Sequence, residues 1–130
     1  MEFIDLKAQY QQLEERIQTR IAAVLAHGKY ILGPEVQELE ERLAEFSGVN
    51  HCVAVGNGTD ALQLALMALD IGPGDAVFVP SFTFFASAEV ISLVGATPVF
   101  VDIDVATYNM CPVSLQSRIE ALQADSDLVP

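Results

Sequence analysis

The run Gly56-Asn57-Gly58-Thr59-Asp60-Ala61-Leu62 holds residue types that bind an anion through the main chain. It follows an apolar stretch, His51-Cys52-Val53-Ala54-Val55, that reads as a buried strand. It opens another, Ala61 to Leu69, that reads as a buried helix. The first N–H groups of a helix have no partner inside it, and the helix dipole places partial positive charge there. Small residues such as Gly56 and Gly58 let a phosphate come close to those groups. Thr59 offers both a hydroxyl and an N–H. Asp60 carries a negative side chain, so it serves an anion through its N–H, while its carboxylate suits a helix N-terminus in any case. A tight strand-to-helix connection, in which the glycines merely permit the turn, accounts for the same residues, and both readings stand. No Gly-Lys-Ser/Thr follows, so this is not a Walker loop, and alanine at position 61 excludes Gly-x-Gly-x-x-Gly. The chain has no Lys or Arg between positions 43 and 117, and its lysines, Lys7 and Lys29, both precede the turn. A phosphate bound here takes its cationic partner from outside that segment.

Two further groupings follow apolar runs. Pro80-Ser81-Phe82-Thr83-Phe84-Phe85-Ala86 lies where open α/β sheets bind ligands, at the carboxyl end of a strand. Its aromatics offer a platform for stacking a planar ring, or they are core. Asp102 and Asp104 read as an acid/base pair, a metal site, or turn and helix caps. With no histidine beside them the metal reading is weak, and no metal site is assigned. His27 and His51 are isolated and receive no role. There is no Gly-x-Ser-x-Gly and no Cys/His pairing, so no catalytic residue is assigned in this chain.

These residues must be carried by a small number of elements. At 130 residues, 52% of them hydrophobic, the chain is one domain at most, and it is not a disordered tail. No apolar run approaches the roughly 18–20 residues of a membrane span. The start, Met1-Glu2-Phe3-Ile4-Asp5, lacks a basic n-region and an apolar h-region. A net charge of −12 disfavours nucleic acid and anionic membranes as partners. Two cysteines, Cys52 and Cys111, form no disulfide framework, and the expected compartment is the cytoplasm.

Leu6, Tyr10, Leu13, Ile17, Ile21, Val24 and Leu25 recur at helical spacing, with Gly28 as the stop. A second helix starts at Gly33-Pro34, carries Val36, Leu39, Leu43 and Phe46 on one face and Glu38, Glu40, Glu41 and Glu45 on the other, and ends at Gly48. From His51 the pattern alternates. Strands are expected at 51–55, 76–79 and 97–101, and helices at 60–70, near 84–94 and from about 112 to 123. Short apolar strands separated by helices predict an α/β fold with a parallel sheet.

Five segments stand in a distinctive order: Tyr30-Ile31-Leu32-Gly33-Pro34-Glu35-Val36, Gly58-Thr59-Asp60-Ala61-Leu62, Gly72-Pro73-Gly74-Asp75, Pro80-Ser81-Phe82-Thr83-Phe84, and Gly95-Ala96-Thr97-Pro98-Val99-Phe100-Val101-Asp102. Together they resemble the N-terminal third of the DegT/DnrJ/EryC1/StrS family of nucleotide-sugar aminotransferases, which depend on pyridoxal 5'-phosphate. Glu2-Phe3-Ile4-Asp5-Leu6 and Asp102-Ile103-Asp104 with Thr107-Tyr108-Asn109 look closest to members that aminate a 3-keto nucleotide-hexuronate for surface polysaccharide.

The resemblance implies the large domain of fold type I, a parallel-rich sheet with flanking helices, incomplete in this chain. Residues 1–48 would be an N-terminal helical segment, and 49–130 the first βαβαβα part of the cofactor-binding domain. Gly58, Thr59 and Asp60 would hold the cofactor phosphate, Phe84 would stack on its ring, and Tyr30, Leu32 and Gly33 would lie near the sugar. The implied partners are a nucleotide-sugar and an amino donor, by family habit glutamate, with a homodimer for the full-length protein. Neither Lys7 nor Lys29 matches the family's Schiff-base lysine, so the chain is expected to be an inactive fragment of a longer enzyme. The strand at 51–55 would then lack its neighbours in the sheet, and the helix at 60–70 would expose apolar residues. Two other readings remain: a non-catalytic α/β module that binds a phosphorylated ligand or a protein, and a sugar dehydratase of the same family.

Overall fold

The computed structural model describes residues 3–124. Helix α1 spans Leu6–His27 and is capped by Asp5, whose carboxylate accepts the Ala8 N–H at 2.9 Å. Helix α2 spans Pro34–Ser47, with proline in its first turn. Both helices stop where predicted, at Gly28 and Gly48 in the left-handed conformation. The contacts divide the chain into two compact units that meet in sequence at Ala54 and Val55.

In the first unit the charged face of α2 is not wholly solvated. Glu38 receives both arms of the Arg20 guanidinium, at 2.6 and 2.9 Å, and Arg42 reaches the same carboxylate at 2.6 Å. These bonds, the Arg20 pair foremost, hold the Glu38 carboxyl below the usual range. The apolar stripe of α1 forms as the spacing requires, yet no residue of α1 is buried.

The second unit contains α3 (Gly58–Ala68), β1 (Ala76–Pro80), α4 (Ala86–Leu93), β2 (Thr97–Val101) and α5 (Pro112–Ala124). Strands β1 and β2 pair in parallel, Ala76 opposite Thr97 and Pro80 opposite Val101. Parallel strands need a crossover, and α4 supplies it. Val79, Val90, Ile91 and Ala96 form the core between α4 and the sheet, with Leu66 of α3 and Ile71 packed against them.

Two expectations are corrected. Residues 51–55 form no strand: Val53 is exposed, and the Ala54 N–H donates to Glu40 Oε1 at 2.7 Å. A strand requires a hydrogen-bonded neighbour. Among the described residues β1 and β2 pair only with each other. The helix that its composition marked as buried, α3, forms but buries none of its residues, which is the exposure expected of an incomplete sheet. It packs on α4 along one side, and Leu62, Leu64 and Met67 remain exposed because no further strand lies under them among the described residues.

Candidate functional site

The glycine turn ends in a capped helix. Asn57 is extended, and its Oδ1 accepts the Asp60 N–H at 2.9 Å while its Nδ2 donates to Asp60 Oδ2 at 3.1 Å. This reciprocal pairing folds the Asp60 carboxylate back over Gly56, where an added Cβ would lie 2.7 Å from Asp60 Oδ2. A side chain at Gly56 would displace that carboxylate. Gly58 faces open space.

Among the described residues no hydrogen bond reaches the N–H of Gly58 or Thr59. Two aligned donors, the Thr59 hydroxyl and clear space over Gly58 fit one face of a phosphate group. The Asp60 N–H, offered to an anion by the sequence reading, is held by Asn57. Asn57 is thus the residue that reading overlooked. The signal was available, because asparagine directly before a helix is a favoured N-cap.

The carboxyl edge of the sheet carries the aromatic turn. The Ser81 N–H extends the ladder by donating to Val101 O at 2.8 Å. Phe82, Phe84 and Phe85 then emerge exposed, Phe84 at 79% of its surface, so they are not core here and the Phe84 ring is free to stack. Phe82 rests against Tyr108 with ring centroids 5.7 Å apart, which ties the end of β1 to the loop after β2. That loop is built on Asp104. Its Oδ1 accepts the N–H groups of Thr107 and Ala106 at 3.0 and 2.9 Å and the Thr107 hydroxyl at 3.2 Å. The Thr107 N–H first, then that of Ala106, holds the carboxyl below its ordinary range. Asp104 therefore organises a turn.

Tyr30, Leu32 and Gly33 lie in the first unit, on the connection from α1 to α2. Tyr30 and Leu32 are exposed, and Leu32 adopts a left-handed backbone at φ 47°. Gly33 is buried, and a Cβ there would sit 2.4 Å from the Lys29 carbonyl oxygen. His27 closes this connection. Its Nδ1 accepts the Lys29 N–H at 3.0 Å, and its Nε2 lies 3.0 and 3.2 Å from the two Glu35 carboxylate oxygens.

A parallel βαβ core with helices packed on it, and a helix N-terminus and exposed aromatics following its apolar runs, defines an α/β protein. The chain belongs to the DegT/DnrJ/EryC1/StrS aminotransferase family, which residues 11–124 match. It is 55% identical over 119 residues to the UDP-2-acetamido-2-deoxy-3-oxo-D-glucuronate aminotransferase of Pseudomonas aeruginosa, covering 92% of this chain and 33% of that protein. The crystal structure of a DegT DnrJ EryC1 StrS aminotransferase from Brucella abortus superimposes with a TM-score of 0.91 at 56% identity, over 95% of this chain and 33% of that one. NtdA of Bacillus subtilis, solved with bound cofactor PMP, superimposes with a TM-score of 0.79 at 30% identity over 82% of this chain and 25% of its own. The chain thus spans about a third of the length of the relatives it matches. Its α/β fold is that of the N-terminal third of these aminotransferases, whose cofactor is pyridoxal phosphate.

Proposed function

We propose that this chain is the cofactor-anchoring part of an aminotransferase dependent on pyridoxal phosphate, which aminates the 3-keto group of a UDP-linked acetamido-hexuronate in the cytoplasm. The observation that carries this reading is the 55% identity over 119 residues to an enzyme of that description. Residues 1–48 form the helical segment that brings the substrate loop, and 49–130 begin the cofactor domain. The Gly58 and Thr59 N–H groups and the Thr59 hydroxyl hold the phosphate. Asp60 borders it, with its own N–H committed to Asn57. Phe84 covers one face of the pyridine ring and keeps water from it. Tyr30, Leu32 and Gly33 contact the sugar. When bound, the cofactor supplies an electron sink for the pair left on the substrate carbon. The proton shuttle and covalent attachment need a lysine amine that neither Lys7 nor Lys29 provides. Glutamate is the expected donor and a homodimer the expected state of the whole enzyme.

The test is an absorbance titration of the 130-residue chain with pyridoxal phosphate. Weak, dialysable binding that inorganic phosphate displaces is expected. Thr59→Val should weaken it roughly tenfold, the worth of one hydrogen bond to a charged group. No amination should appear with glutamate and the 3-keto sugar nucleotide. An imine band that survives dialysis and disappears in Lys7→Ala or Lys29→Ala overturns the proposal.

A further inference from the structure

The sequence left His27 without a role, and the structure surrounds it with partners. It is the last residue of α1. From there the chain must reverse into α2 within a few residues, and it does so through two left-handed positions, Gly28 at φ 67° and Leu32 at φ 47°. At the far end the Gly33 backbone is pressed against the Lys29 carbonyl. Leucine adopts that conformation only when its surroundings impose it. The residues between, Tyr30 to Leu32, are exposed and bury nothing that would hold them. The His27 ring instead binds the Lys29 N–H on one side and Glu35 of α2 on the other.

We infer that His27 is the positioning residue of the sugar-nucleotide loop, with Glu35 as its support. This rests on the proposed assignment of Tyr30, Leu32 and Gly33 to the substrate. The two bonds fix the chemistry of the ring. An Nδ1 that accepts from Lys29 N–H carries no proton, so the ring's proton sits on Nε2 and is donated to Glu35. Only the neutral Nε2–H tautomer makes both bonds. Protonation places a hydrogen on Nδ1, and the Lys29 N–H then meets another donor. The bond to Glu35 would survive in that form, so the loop bond is the one that depends on the tautomer. The charged group against the ring is Glu35 from α2, on which the field of Arg20 of α1 also acts. The Glu35 carboxyl is held below its usual range, by the His27 bond foremost.

The experiment uses the 130-residue chain labelled with nitrogen-15. Ring nitrogen shifts should report the Nε2–H tautomer for His27. The Lys29 amide should be protected from exchange, relative to its intrinsic rate. His27→Ala should lower Lys29 protection about tenfold, the loss of one hydrogen bond. His27→Asn, whose Oδ1 takes the place of Nδ1, should restore it. Amides of the core residues Val79, Val90 and Ile91, and of Ile17 in α1 and Leu43 in α2, serve as the folding control and should not change. UDP-N-acetylglucosamine is the substrate probe. It should shift Tyr30 and Leu32, with about tenfold weaker affinity in His27→Ala and recovery in His27→Asn. The Nδ1–H tautomer, or unchanged Lys29 protection in His27→Ala with the core intact, overturns the positioning role. A lost Lys29 bond together with no loop response to the sugar nucleotide in the unmutated chain leaves that role standing and overturns the substrate assignment instead.

Discussion

Asn57 decides how many donors the glycine turn offers. By taking the Asp60 N–H at 2.9 Å it caps α3 and removes one of the first-turn groups from an anion. Asn57→Ala is predicted to cost about 1 kcal/mol of stability, the usual worth of a side-chain N-cap. It should at the same time tighten inorganic phosphate binding, because a third N–H becomes free. Urea unfolding and a phosphate titration read the two effects separately. Weaker phosphate binding in the variant would mean that Asn57 is itself a ligand. Gly33 makes a simpler case. Its missing Cβ would meet a backbone oxygen at 2.4 Å, and backbone cannot swing aside as a side chain can. Gly33→Ala should destabilise the chain by about 1–3 kcal/mol, the range for forced overpacking. An unchanged urea midpoint would sink that steric account.

At the scale of elements, the two units are held by different forces. Helices α1 and α2 are linked by exposed polar bonds, Arg20 on Glu38 and His27 on Glu35, while Arg42 braces Glu38 from within α2. The Glu35 and Glu38 carboxyls both sit below their usual range, Glu35 through the His27 bond first and Glu38 through the Arg20 bond first. A lowered folded-state value means that stabilisation is fully present above the unfolded carboxylate value of about 4.3 and is lost as pH falls through the lowered one. Acid titration followed by amide exchange should therefore release α1 and α2 below that point. High salt should weaken the same contacts at neutral pH. Release of the α1–α2 contacts at a pH well above 4.3 would contradict this assignment. The second unit depends on burial. Ile91 is 2% exposed in the core against β1 and β2, and Ile91→Ala should cost about 2–5 kcal/mol. Leu25 of α1 is 64% exposed, and Leu25→Ala should stay within about 0.5 kcal/mol. Equal midpoint shifts for the two variants would show that the division between polar and buried contacts is wrong.

Across the whole molecule the balance of apolar surface is unusual. Leu62, Leu64 and Met67 of α3, Phe84 and Phe85, and Ile31 and Leu32 all face solvent. The extended segment 51–55 pairs with no strand, and each outer edge of the two-stranded sheet presents main-chain groups that pair with nothing among the described residues. Exposed apolar surface and open strand edges favour association. A net charge of −12 opposes it through repulsion that salt screens. The chain is therefore predicted to associate with rising concentration, more strongly as salt rises. Light scattering coupled to size exclusion measures this. A monomer at every concentration and salt level would refute it.

Much of the architecture was legible in the sequence because it depends on short-range chemistry. Helix α1 stops at Gly28 and α2 at Gly48 because glycine adopts the left-handed cap freely, and Pro34 marks a helix start because its missing N–H is not needed there. Apolar runs bounded by Gly72-Pro73-Gly74 and by Gly95 defined β1 and β2 almost to the residue. The donor turn at Gly58 and Thr59 was likewise visible as a local pattern. Burial and pairing depend on what lies across space, so the local pattern did not carry them; only the resemblance to a longer protein implied that 51–55 would lack neighbours and that the helix at 60–70 would expose apolar residues. The run at 51–55 has the composition of a strand, but pairing requires a neighbour that no local pattern supplies. Helix α3 has the composition of a buried helix, but burial requires a surface to lie on. The partners of Asn57, Glu40 and His27 were undetermined for the same reason. A hydrogen bond is specified by distance and direction, and those exist only once the chain has folded.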